Sequence, residues 1–313
     1  MKTSSIFTWS GFMMLLSMTT EAMPISGEYL SVTENPDSVC MVSFHELDYI
    51  HRCSATLVDD THVVLASHCF PSGTSKSSVR VSCGSQDSKI KVRAQELFFD
   101  ARVQTIAHQI STRATSSEKP TRLDWEYLRA NDIAIIKLKK PIPHPPMSTI
   151  QNFESMKKEF FTIDEAGRVF LKDEAECRFS GYGVDNTQNI GTLHTAQLDL
   201  KIADYQLEML DDGSGPLLVY YPKKIVLNRE AGSAYAANEE DLLSIKTPLS
   251  MVENADSGGP LFCRLPEKDW TLIAVISGPK EIPFSEKTIL SLEFSVLGSV
   301  TYEKLKAKAY ENY

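Results

Sequence analysis

His68, Asp132 and Ser257 are the residues of this chain whose types and surroundings suit nucleophilic catalysis. Ser257 lies in Asp256-Ser257-Gly258-Gly259-Pro260, His68 in Val63-Val64-Leu65-Ala66-Ser67-His68-Cys69, and Asp132 in Asn131-Asp132-Ile133-Ala134-Ile135-Ile136-Lys137-Leu138. A serine hydroxyl is a poor nucleophile at neutral pH. It needs an imidazole to take its proton, and a carboxylate on the far ring nitrogen to fix the tautomer and stabilise the imidazolium. Singly, each segment has a plainer reading. Asp-Ser-Gly-Gly is ordinary turn chemistry, Asn-Asp before an apolar run is a common strand start, and a histidine beside a cysteine can be structural. A lipase-type nucleophile elbow is disfavoured, because it needs Gly where this chain has Ala255 and places its acid and histidine after the serine.

Taken together and in the order His, Asp, Ser, the three segments resemble the chymotrypsin-like (trypsin-like) serine proteases. Phe179-Ser180-Gly181-Tyr182-Gly183 is similar to that family's Ser-Gly-Trp-Gly, and Leu193 to Leu198 to the strand that follows it. The resemblance implies an all-β fold of two antiparallel six-stranded β-barrels with a C-terminal α-helix. It also implies a serine endopeptidase that works through an acyl-enzyme, needs no cofactor or metal, and takes a protein or peptide as substrate. His68 would be the general base, Asp132 the orienting carboxylate and Ser257 the nucleophile, with the amides of Ala255 and Ser257 as oxyanion donors. Met251 would lie at the base of the primary pocket. Ser277 would support the catalytic carboxylate, and Gly278 and Pro279 would lie along the substrate. A new terminus at Ile25 would pair with Asp256, since Ile25-Ser26-Gly27-Glu28 is similar to the family's activated start. Disulfides Cys53–Cys69 and Cys177–Cys263 are implied, which leaves Cys40 and Cys83 as the third pair.

The chain departs from the family pattern at four places. Pro24, rather than Arg or Lys, precedes Ile25. Met251 brings no acid to the pocket, so preference for Arg or Lys loses its charge partner. Pro279 has no amide hydrogen to donate. Ala255 replaces a glycine whose amide is one of two oxyanion donors, and losing such a donor costs roughly 2.7 to 4 kcal/mol of transition-state stabilisation. These departures predict a slow, narrow peptidase; the alternative is a weakly active or inactive homologue with a binding role.

The elements that must hold these residues are legible as short strands. In the first lobe they run from Cys40 to Phe44, Cys53 to Val58, Val63 to Ala66, Val79 to Cys83, Lys89 to Phe99 and Ile133 to Leu138. The Pro-rich run 141–146 cannot continue a central strand and reads as a linker. Two further strands are expected from Thr271 to Ser277 and Ile289 to Leu297. A terminal helix from Thr301 to Tyr310 would put Tyr302, Leu305 and Ala309 on one face. Candidate insertions are Thr112 to Arg129, Ile150 to Glu176 and Tyr205 to Lys246. Within the second, Phe153, Met156, Phe160 and Phe161 could line an amphipathic helix, a stripe more often local core than a partner site.

Organisation follows from the same reading. Residues 1–22 read as a secretory signal, with Lys2, a mostly apolar segment from Ile6 to Met18 and small residues that place the expected cleavage after Ala22. Residues 23–24 would be a short pro-segment, 25–140 the first lobe, 141–149 the linker and 150–313 the second lobe with its helix. The apolar segment is shorter than the ~20 residues that span a bilayer, so no stable membrane span is expected after signal removal. Export, to the extracellular space or a periplasm, permits disulfides, and six cysteines is an even number. No Cys-x-x-Cys or His-x-x-x-His spacing favours zinc. The 42% hydrophobic and 23% charged composition is that of an ordinary globular protein. A formal charge of -9, with no basic run longer than Lys139-Lys140 or Lys223-Lys224, argues against nucleic-acid binding.

Overall fold

A computed structural model describes residues 36–45, 50–70, 73–84, 89–111, 121–183, 193–197, 203–209, 216–222, 256–284 and 287–311. The expected signal at residues 1–22, and Ile25, Met251 and Ala255, lie outside these residues.

Six antiparallel strands close the first barrel: β1 (Val39–His45), β2 (Ile50–Leu57), β3 (His62–Leu65), β4 (Val79–Cys83), β5 (Ile90–Phe99) and β6 (Ala134–Leu138), in the order β1-β2-β3-β6-β5-β4. Their apolar residues supply the interior, where Val42, Phe44, Leu57, Val63, Leu65, Val81 and Ile136 are all buried. Closure leaves no free sheet edge to satisfy, which suits a small lobe. Between β5 and β6 the chain inserts two helices, α1 (Ala101–Ser111) and α2 (Arg122–Asn131), that bury Val103, Ile106 and Leu128 against each other. α2 starts on a reciprocal cap: the Thr121 hydroxyl accepts from the Asp124 amide, and the Asp124 carboxylate accepts from the Thr121 amide.

The second lobe contains β7 (Ser148–Thr149), α3 (Phe153–Phe160), β8 (Phe161–Ile163), β9 (Val169–Leu171), β10 (Glu176–Gly181), β11 (His194–Gln197), β12 (Ala203–Met209), β13 (Pro216–Pro222), β14 (Pro260–Arg264), β15 (Thr271–Phe284), β16 (Lys287–Val296) and α4 (Val300–Tyr310). The architecture is mostly strand with a few helices, and it ends on the expected terminal helix. One refinement concerns closure: where a second six-stranded barrel is implied, the described strands form an open path, β11-β10-β14-β15-β16-β13-β12-β9-β8. The cause is the inserted chain. β8, β9, β12 and β13 come mostly from the segments 150–176 and 205–246; β13 pairs with β16, β12 with β13, β9 with β12 and β8 with β9, which lengthens the path past six strands.

Two cores lie on either side of the Pro-rich run. The first takes its last member from Ile142, and the second begins at Met147 and borrows Val64, Ile133 and Ile135 from the first lobe. The aromatic stripe of α3 is local core, with Met156 and Phe160 fully buried, while Phe161 already belongs to β8. α4 buries Tyr302, Leu305 and Ala309 and starts on Ser299, whose hydroxyl accepts from the Tyr302 amide. It ties the lobes together from its two ends. Thr301 donates to the Asn131 side chain; Tyr310 stacks on the buried His62 and hydrogen-bonds Asp59.

Candidate active site

His68 follows β3 directly, on the 3-10 turn Ser67–Cys69, and Asp132 caps the end of α2 just before β6. Because β3 and β6 are paired, with Leu65 opposite Ala134, the two residues emerge side by side at the same end of the barrel. Asp132 is completely buried. Its Oδ1 accepts from the His68 amide at 2.8 Å, while Oδ2 accepts from His68 Nδ1 at 2.6 Å and from the Ser277 hydroxyl at 2.6 Å. Three donors on one buried carboxylate fix its position. The hydrogen bond from Nδ1 to Asp132 orients the ring with Nδ1 toward the carboxylate, which leaves Nε2 as the nitrogen able to act as a base. Burial of the ring opposes protonation, but the charge of Asp132 and its hydrogen bond outweigh that and hold the His68 pKa above its ordinary 6.5.

The Ser257 segment is fastened by its backbone. The Ser257 carbonyl accepts from the Ser54 amide at 2.9 Å and lies 3.6 Å from Sγ of Cys69, the residue after His68. Gly258 donates to the Ile276 carbonyl at 2.8 Å, and Ile276 donates to Gly259 at 2.8 Å. Gly258 has φ +81°, and a Cβ there would stand 2.4 Å from the Ser54 carbonyl and 2.7 Å from the Ala66 nitrogen. Only glycine fits a turn pressed this closely against the strands that carry His68. Ser257 is therefore seated beside the His68 turn, although no hydrogen bond joins its hydroxyl to the ring among the described residues. Such contacts commonly tighten only with substrate bound.

Asp256 is also fully buried, and its carboxylate accepts from the Gly183 amide at 2.7 Å. Gly181 and Gly183 leave the space it occupies: a Cβ on either would fall 2.0 and 2.2 Å from its oxygens. The intervening Tyr182 runs the other way. Its amide donates to the Ser54 hydroxyl at 2.8 Å and its own hydroxyl to the Val39 and Gly84 carbonyls, so it pins this loop to the first barrel.

A family model, Trypsin, matches residues 31–284. The chain belongs to the trypsin family. A search of curated proteins gives no match to it.

In this trypsin-family chain, Ser277, Gly278 and Pro279 follow one another along β15. Ser277 is buried and turned to Asp132, whereas Gly278 sits at an irregularity in the pairing with β16. β14 and β7 cover one edge of β15 only as far as Val275, so from Ser277 onward that edge has no strand partner among the described residues. The structure joins Cys53 to Cys69, Cys177 to Cys263 and Cys40 to Cys83. Among the described residues, no group of three His, Cys, Asp or Glu stands together as metal ligands, and no helix is long and apolar enough to cross a membrane. Sequence reasoning missed Ser54, which holds both Ser257 and Tyr182, and Asn131, which receives α4. Ser54 carries no motif signal of its own. Its position directly after Cys53 is the only hint.

Proposed function

We propose that the protein is a secreted serine endopeptidase, with His68 as general base, Asp132 as orienting carboxylate and Ser257 as nucleophile. The observation that carries this reading is the His68–Asp132–Ser277 arrangement: a buried carboxylate with three donors, set beside a serine turn that only glycine permits. The hydroxyl attacks the scissile carbonyl as its proton passes to His68 Nε2. The imidazolium then returns that proton to the leaving amine, and water repeats the sequence on the acyl-enzyme. The amides of Ser257 and Ala255 are the proposed oxyanion donors, and Met251 the proposed pocket base. The edge of β15 that has no strand partner among the described residues supports an extended peptide as substrate, since such an edge accepts an added strand by main-chain hydrogen bonds. Pro279 contributes no N–H to that edge, which favours narrow specificity.

Residues 1–22 serve as the signal in this reading, and the mature first lobe runs from residue 25 to the linker at 141–149. Ile25 pairs with Asp256 once the chain begins there, and Asp256 in turn fixes Ser257. The direct test is a fluorophosphonate probe on purified mature protein. Wild type should label covalently, and Ser257→Ala should not label while melting at the wild-type temperature. Persistent labelling of Ser257→Ala overturns the assignment. A folded wild type that never labels leaves a protease fold with a binding role.

A further inference from the structure

The sequence shows no basic run longer than two residues, but the strand register assembles one. On the outer face of the first barrel, Arg52 stands opposite Ser43, Ser43 opposite Arg80, and Arg80 opposite Arg93. Lys89 and Lys91 continue the same face of β5 toward its start, and the Lys139 amide donates to the Arg93 carbonyl at the other end. Alternation along β5 confirms the direction: Lys91 and Arg93 are exposed, whereas Val92 and Ala94 are buried. With neighbouring strands ~4.8 Å apart and ~3.3 Å of rise per residue, Lys89 to Arg93 alone covers about 13 Å. Among the described residues, Arg52, Arg80, Lys89, Lys91 and Arg93 form no ion pair with a carboxylate. They feel one another instead. Burial first, and then the charges of Lys91 and Arg52, push the Lys89 pKa down; burial and then Arg93 do the same to Arg80. A protein of net charge -9 thus concentrates on one face cations that no described carboxylate pairs, a repulsive arrangement that an anionic partner relieves.

The position of this face says which partner. Arg52 precedes Cys53, which is disulfide-bonded to Cys69 beside His68, and stands two residues from Ser54, whose amide holds the Ser257 carbonyl. The cations therefore begin at the rim of the candidate site and lead away from it. The Tyr182 ring beneath Lys89 is buried, so it offers no platform on which a nucleic-acid base could stack. We infer that this basic stripe is a substrate-docking surface for an acidic peptide segment, lying to one side of the bond cleaved at Ser257. The inference rests on the endopeptidase reading for its role, but its binding half stands without it.

The experiment separates the two. Fluorescent oligoglutamate is titrated into Ser257→Ala protein and into the same protein carrying Lys91→Glu and Arg93→Glu. Binding should weaken about tenfold with the charge reversal, as expected for several exposed charge contacts. It should also weaken strongly between about 50 and about 500 mM salt, where screening shortens to a few ångström. Lys91→Gln with Arg93→Gln should lose less, and decides the matter if the reversal variant fails to fold. In Ser257 protein, an oligoglutamate extension on one side of the best short peptide substrate should raise kcat/KM about tenfold, and the charge reversal should remove that gain while leaving the unextended peptide unaffected. Equal oligoglutamate binding by reversed and unreversed protein overturns the inference. So does tighter binding of a sulfated heparin fragment than of oligoglutamate, which would make the face a polysaccharide site. Oligoglutamate binding without any fluorophosphonate labelling keeps the surface and removes the catalytic reading.

Discussion

Gly183→Ala tests the link between the loop that follows β10 and the nucleophile. The added Cβ would lie 2.2 Å from Asp256 Oδ2, 2.4 Å from its Cγ and 2.5 Å from Oδ1. A carbon and an oxygen in contact rest at about 3.3 Å, so one of them must move by about 1 Å. Asp256 is fully buried and immediately precedes Ser257, and the Gly183 amide donates a hydrogen bond to it. Relief by moving the carboxylate therefore drags the nucleophile, and relief by moving Gly183 breaks a charge-assisted bond. Overpacking costs about 1 to 3 kcal/mol and the lost bond about 1.5 to 3 kcal/mol, so the variant should be destabilised by about 2.5 to 6 kcal/mol if both are incurred. A misplacement of about 1 Å at the reacting atoms is worth about 100-fold in rate.

The assay is the rate of covalent labelling by a fluorophosphonate at a temperature where both proteins are folded, with melting followed in parallel. Gly73→Ala is the control. Gly73 also has positive φ, +78°, but a Cβ there meets nothing within 4 Å. It should lose about 1 kcal/mol of stability through backbone strain and label at the wild-type rate. Wild-type labelling by Gly183→Ala would refute the claim that Asp256 transmits the geometry of this loop to Ser257.

Two predictions concern Asp132 and its donors. Ser277→Ala removes one of three donors to the buried carboxylate, and a hydrogen bond to a charged group contributes about 1.5 to 3 kcal/mol, so the variant should melt earlier and, with Asp132 less firmly held, label about 10- to 100-fold more slowly at a temperature where it is folded. Labelling at the wild-type rate would mean that the His68 contacts alone fix Asp132. The labelling rate should also rise with pH through an apparent pKa above 6.5, because only neutral His68 accepts the serine proton. Stability should run the opposite way. A raised folded-state pKa contributes stability that is fully present below the unfolded value and is lost as pH rises through the folded one. Asp132→Asn should remove both the upward displacement of the rate profile and this stability contribution. A rate midpoint below 6.5 in the wild type would contradict the pairing.

Much of this was legible because the informative signals are local. Val79 to Cys83 is a strand with the expected bounds, and α4 buries Tyr302, Leu305 and Ala309, the three residues whose spacing marks its inner face. A period of two or of 3.6 is written in consecutive residues, and no distant partner is needed to read it. α1 was not anticipated and α2 fell in a segment read only as an insertion, yet Thr121 and Asp124 carry the three-residue spacing of a helix cap. That signal was available. What was not legible is what depends on register. The cations of the first barrel are separated in sequence by up to about forty residues and meet only because β1 pairs with both β2 and β4. The open second sheet likewise follows from which edge the inserted strands chose.

The same distinction explains how the candidate site is built. His68, Asp132 and Ser257 come from distant parts of the chain, and each is recognisable from its flanks, but the contacts that bring them together are mostly backbone and carry no residue signature. The Ser54 amide holds the Ser257 carbonyl, the Ile276 carbonyl receives Gly258, and the His68 amide itself binds Asp132. Any residue except proline can supply such a bond, so selection on sequence acts elsewhere: on the glycines that allow the approach and on the polar side chains that close it. Gly258 and Gly183 are of the first kind, Ser277 and Asn131 of the second. Asn131 is the clearest case. Its side-chain amide donates to the Tyr127 carbonyl at 2.9 Å, and its oxygen accepts from Thr301 at the start of α4. The terminal helix thus reaches the residue next to Asp132, and the last element of the chain bears on the placement of a carboxylate in the first lobe.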